Sequence, residues 1–137
     1  MAGYKGIAYA DMNVGETVGH YGTTVSKKDI ETYFMNAGST FHQNINGERL
    51  FVPPPMAYAL TLRAIFHSNI PVDGPILVGH ELKCINKVFE GDGIDVDVII
   101  KDKWIKKDRK YIIFDFIVKN TKKDVCFVDS MRVIWPE

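Results

Sequence analysis

FVPPPMAYALTLRAIF, residues 51–66, decides the fold. Its prolines, Pro53 to Pro55, hold Phe51 and Val52 extended, because a residue ahead of proline is steered out of the helical region. Pro55 is tolerated in the first turn of a helix, where a backbone N–H would have no partner anyway. From there to Phe66 only Thr61 and Arg63 are polar. A helix apolar on nearly every face is expected to be buried on nearly every side. Ala57, Ala59 and Ala64 would let other backbone approach closely. So short a helix is marginal alone in water, so the remaining chain has to enclose it.

The C-terminal half supplies the cover. Pro75 to Lys87 alternates loosely between apolar and polar residues, and Glu90-Gly91-Asp92-Gly93 reads as a turn. Ile94, Val96, Val98 and Ile100 then recur at every second position, the period of a half-buried strand. Asp102 to Lys110 reads as a charged hairpin connection. Tyr111 to Val118 carries Ile112, Phe114, Phe116 and Val118 on one face. After a turn at Asn120–Asp124, the last strand shows Val125, Phe127, Met131, Val133 and Trp135, with Asp129 the polar exception on that face. Short turns between successive strands imply antiparallel neighbours.

Toward the N-terminus, the first dozen residues, through Ala10, read as one short strand, Asn13–Glu16 as a turn, and Thr17–Val25 as a second strand. Ser26 is a helix N-cap with Asp29 three residues on, as in a capping box. Ile30, Tyr33, Phe34 and Ala37 form one apolar face, and Gly38 is the expected stop. Ser39 to Arg49, with Asn44, Asn46 and Gly47, reads as a loop. There is no repeat and no linker, so residues 1–137 are expected to form a single α+β domain.

Seventeen basic and seventeen acidic residues cancel, which leaves no electrostatic footprint for nucleic acid or an anionic membrane. Cys84 and Cys126 both lie in apolar strand-like runs and are expected to be reduced core thiols. No apolar run reaches the length of a membrane span, and the N-terminus lacks a signal-peptide pattern. A cytoplasmic location is the expectation.

One long helix wrapped by a five- to six-stranded antiparallel sheet describes the hot-dog fold. The stretch Val25-Ser-Lys-Lys-Asp-Ile-Glu-Thr-Tyr-Phe34 followed by Ala37-Gly38 resembles the opening helix of the MaoC-like dehydratases and (R)-specific enoyl-CoA hydratases. Val52-Pro-Pro-Pro-Met56 is similar to the proline-rich lead-in of their N-terminal-type domains. Gly79-His-Glu-Leu82 and Val88-Phe-Glu-Gly-Asp92 are similar to the strand and turn that follow. The resemblance implies a dimer whose sheets join, or a heterodimer with a catalytic hot-dog subunit. It also implies acyl groups on coenzyme A or acyl carrier protein as substrates. The typical reaction is reversible addition of water to a trans-2-enoyl thioester, and no cofactor is implied beyond the carrier of the substrate.

Such chemistry needs an acid–base and donors for the thioester oxygen. The family has an Asp just after the helix-ending glycine and a His a few residues on. Here Ser39 follows Gly38, strict counting puts Asn44 at the His position, and His42 lies two residues earlier. His42 and Ser39 are thus the catalytic candidates, His42 because its ordinary pKa allows both protonation states near neutrality. Glu48 is the one nearby carboxylate. Thr40, Asn44, Asn46, Pro54, Met56 and His80 are the implied substrate contacts, His80 facing the acyl tunnel or held as a hydrogen-bonded structural residue. Arg63 either binds an anion or reaches solvent, and Lys101 to Lys110 either touch carrier phosphates or simply face water. His20 and His67 stand apart from each other and from any acidic cluster, so no metal site is expected. Three functional readings follow: a hydratase or dehydratase; a non-catalytic acyl-binding subunit, which the Asp replaced by Ser39 favours; and a thioesterase, disfavoured because the central helix carries no Asp or Glu.

Overall fold

The computed structural model describes residues 7–37, 49–68, 70 and 74–136. In chain order its regular elements are β1 (Thr17–Thr24), α1 (Lys27–Asn36), α2 (Pro54–Ile65), β2 (Ile76–Cys84), β3 (Gly93–Lys106), β4 (Arg109–Asn120) and β5 (Val125–Trp135). The strands form one antiparallel sheet in the order β1-β3-β4-β5-β2. Helix α2 lies across its concave face. This is the hot-dog arrangement.

The alternation read in the sequence sets which face is covered. Ile94, Val96, Val98 and Ile100 of β3 are buried, as are Ile112, Phe114, Phe116 and Val118 of β4. They pack with Met56, Ala57, Leu60, Thr61 and Ala64 of α2. At roughly 1.5–3 kcal/mol for each large apolar side chain removed from water, this face decides where α2 sits. The helix is nevertheless buried along one side only. Ala59 and Arg63 are exposed and Phe66 is 70 % exposed, because a single sheet shields a single face.

Other expectations are also corrected. Tyr9–Asp11 forms a short 3-10 turn rather than strand. The charged stretch after Ile100 is mostly strand: β3 continues to Lys106 and β4 starts at Arg109, with Lys103, Trp104 and Ile105 paired to Ile112, Tyr111 and Lys110. Alternating charge had hidden a long two-stranded ribbon. Cys84 is exposed on edge strand β2, whereas Cys126 is buried and burial pushes its thiol pKa up.

The capping box at Ser26 forms as read, Ser26 Oγ accepting from Asp29 N at 3.0 Å and Ser26 N donating to Asp29 Oδ2 at 3.1 Å. Arg49 is clamped to the turn that precedes β3. Its guanidinium donates to Glu90 O at 2.6 Å and Asp92 Oδ1 at 2.8 Å, and packs over the Phe89 ring. Val52 N donates to Val88 O at 2.8 Å, which fixes the lead-in to α2 against the same turn.

The β3–β4 hairpin closes through Lys107 and Asp108, at φ 50° and 63°. Two successive positive φ values make the primed turn that suits the strand twist, and they favour Asn-Gly. The double substitution Lys107→Asn, Asp108→Gly is therefore expected to stabilise the fold by about 1 kcal/mol. A higher thermal midpoint with unchanged circular dichroism is the result that checks it.

Candidate functional site

Polar chemistry inside the apolar face is confined to one place. Among the described residues the buried polar or charged side chains are Thr61 and Asp129. Asp129 occupies the inward-facing row of β5 between Phe127 and Met131, and its side chain is fully buried. Strand pairing sets Leu82 opposite Asp129 and His80 opposite Met131. His80 therefore reaches Asp129 diagonally, with Nδ1 3.1 Å from Oδ1. The imidazole stacks on the Tyr58 ring at 4.3 Å between centroids and is 36 % exposed. One edge of the ring thus meets a buried carboxyl while the side chain as a whole reaches solvent.

The irregular pairing between Leu77 and Gly79 makes this placement possible. Without it, strict alternation would put Leu77 and His80 on opposite faces. With it, Leu77 lines the cavity beside α2 and His80 joins it on that face.

The second carboxylate oxygen meets Thr61. Thr61 Oγ1 lies 2.7 Å from Tyr58 O and 3.3 Å from Asp129 Oδ2. A hydroxyl has one hydrogen. The Thr61 hydroxyl is thus shared between Tyr58 O and Asp129 Oδ2, the nearer acceptor being the carbonyl. Burial pushes the Asp129 carboxyl above the usual carboxylate range, against the lowering effects of the His80 and Thr61 contacts, and the charge of Asp115 pushes it the same way as burial. An imidazole that carries its hydrogen on Nδ1 donates it to Oδ1 and keeps the Nε2 lone pair free. Nε2 has no hydrogen-bond partner among the described residues and is a base with a lone pair to use.

A cavity of about 260 Å³ lined by apolar residues lies between the C-terminal half of α2 and the sheet. Leu62, Ile65 and Phe66 form its helix side; Leu77, Phe116, Met131 and Val133 are among the sheet residues that face them. Met131 is shared: it walls the cavity and pairs with His80.

Of the residues singled out from the sequence, Ser39, Thr40, His42, Asn44, Asn46 and Glu48 lie outside the described residues. Pro54 is exposed at the start of α2, and Met56 is 5 % exposed and packs in the core. Prolines at 54 and 55 leave the first turn of α2 with no N–H there, and the amides of Met56 and Ala57 are both bonded to Pro53 O. That helix end offers no free donor to an oxygen anion. His20 is not apart from acidic groups, as expected from sequence, but sits on the surface against Asp97 at 2.8 Å and Asp95 at 3.5 Å. His67 stacks on Tyr21. Arg63 is exposed on α2. Sequence reading passed over Asp129 as a site residue, although its lone polar character in an inward row was the signal.

No family sequence model and no curated protein matches the chain. Solved structures match it well in shape. The unliganded R-hydratase PhaJ1 from Pseudomonas aeruginosa is 19% identical, with 96% of this chain and 87% of that one covered and a TM-score of 0.79. The MaoC-like dehydratase from Rhodospirillum rubrum is 20% identical, with 96% and 99% covered and a TM-score of 0.78. The HadBC (3R-hydroxyacyl-ACP dehydratase) complex from Mycobacterium tuberculosis is 12% identical, with 88% and 96% covered and a TM-score of 0.70. At these identities the likeness is one of fold.

A buried carboxyl whose pKa is raised on folding binds its proton more tightly in the folded state. That favours folding fully at low pH, and the contribution is lost as pH rises through the raised value. Asp129→Asn, similar in shape and uncharged, is accordingly expected to be more resistant to urea than the parent at neutral pH. The gap should close as pH falls toward about 3.9, the ordinary Asp value. Urea midpoints of both proteins across that range test it.

Proposed function

We propose that this chain is an acyl-thioester hydratase or dehydratase, adding water reversibly to a trans-2-enoyl group carried on coenzyme A or acyl carrier protein. The observation that carries this reading is the apolar cavity between α2 and the sheet, on a fold shared with hydratases and dehydratases. A cavity lined by Leu62, Ile65, Phe116 and Val133 suits a hydrocarbon chain and gives a polar substrate no bonds. The reaction needs no redox cofactor, since water adds and nothing is oxidised.

A second reading has one observation in its favour. The proline-blocked start of α2 has no free N–H for an enolate oxygen, which suits a subunit that binds acyl groups and leaves chemistry to a partner. Both readings involve a partner. Edge strand β2 presents Ile76, Leu77 and Val78 to solvent along an edge with no neighbouring strand among the described residues, close to exposed Phe66. Such an edge is a surface for sheet-to-sheet pairing with a second copy.

The purified chain is expected to consume crotonyl- or 2-octenoyl-coenzyme A, with loss of the enoyl absorbance. No turnover, with octanoyl-coenzyme A still bound, would favour the binding subunit. Neither turnover nor binding would remove both. Val78→Glu, on the exposed edge, is expected to shift the sedimentation coefficient from dimer to monomer; an unchanged value would place the interface elsewhere.

A further inference from the structure

We propose that His80, oriented by Asp129, is the catalytic acid–base of this chain. The inference rests on the hydratase reading above and names the group that performs its proton transfers. Between Gly38 and Arg49 the sequence holds one imidazole, His42, and one carboxylate, Glu48. The structure supplies an imidazole–carboxyl pair elsewhere, already assembled, on the helix-facing side of the sheet.

Four features fit the role. Asp129 Oδ1 lies 3.1 Å from Nδ1, where a carboxylate favours the tautomer with its hydrogen on Nδ1. Tyr58 fixes the ring plane by stacking, at 4.3 Å between centroids. Nε2 is left without a partner among the described residues, on a half-exposed side chain. Two residues link the pair to the apolar cavity: Met131, which is opposite His80, and Leu77, three residues before His80 in β2, both of which line it. A buried carboxyl is a costly way to anchor an edge strand.

The step balances. Nε2 takes a proton from water as the water oxygen bonds to the β carbon of the enoyl thioester. The electron pair of the carbon–carbon π bond moves toward the α carbon and the thioester oxygen. The imidazolium then returns the same proton to the α carbon. One C–O and one C–H bond form, one O–H and one π bond break, and the histidine is regenerated. Asp129 remains the positioning residue throughout.

The experiment compares the full-length parent with His80→Ala, His80→Gln and Asp129→Asn in enoyl-coenzyme A hydration, each checked for folding by circular dichroism. His80→Gln keeps a donor toward Asp129 and guards against a variant that simply unfolds. Both His80 variants are expected to lose kcat by about a hundredfold or more with KM little changed, the size of effect a positioned acid–base supplies. Added imidazole is expected to restore part of the rate in His80→Ala. Asp129→Asn is expected to lower kcat less and to displace the pH–rate profile. The charged and titratable groups that bear on this pair are Tyr58 from α2, Asp115 from β4, and Glu81, Lys83, Lys101 and Arg132, which line a polar hollow together with His80. Folded His80 variants that keep kcat within about twofold of the parent would overturn the inference while leaving the hydratase reading intact. A parent that binds octanoyl-coenzyme A without hydrating enoyl thioesters would overturn both.

Discussion

The burial of Asp129 is the constraint on which the rest depends. A carboxyl in the inward row of a β-sheet is expensive unless its oxygens are satisfied. Each oxygen is met by a different element: Oδ1 by His80 of edge strand β2, Oδ2 by Thr61 of α2. The group therefore ties helix and edge strand to β5 at one point. Removing either partner would leave a buried polar group unpaired, a penalty of about 1–3 kcal/mol and more for a charge.

The apolar core sets the position of this tie without explaining it. Phe114, Phe116 and Met131 fix how far α2 stands from the sheet, and Ala57 and Ala64 allow it to approach. That spacing leaves a cavity beside the end of the helix, at Leu62, Ile65 and Phe66, and a polar junction at Thr61 just before it. The polar junction and the apolar cavity are thus neighbours because one helix crosses one sheet. The exposed side of the same helix, with Phe66, and the unpaired edge of β2 mark where a second copy would complete the enclosure.

Much of this is legible in the sequence, for identifiable reasons. Period-two alternation in 94–100 and 111–118 gave β3 and β4, and Ser26 with Asp29 gave the start of α1, because these signals act over a few residues. The helix after the prolines was equally plain. Its burial on all sides was not realised, since apolar composition does not say how many layers will cover it. The hairpin at 107–108 was obscured because charged residues on a protruding ribbon look like loop. The site was half legible. His80 was identified as facing the acyl tunnel or as structural, and Asp129 and Thr61 were noted as polar exceptions in apolar elements. Their meeting depends on a strand register and a bulge between Leu77 and Gly79, which no local pattern encodes. Ser39, His42 and Glu48 lie outside the described residues, so their part in the chemistry stays with the experiments on turnover.

The tautomer of His80 tests the central claim most directly. Nitrogen-15 NMR of the imidazole, with long-range proton correlations, distinguishes a hydrogen on Nδ1 from one on Nε2. The neutral ring is predicted to carry its proton on Nδ1, bound to Asp129, with Nε2 bare and accessible. A neutral ring protonated on Nε2, or nitrogen shifts unmoved by Asp129→Asn, would contradict the account.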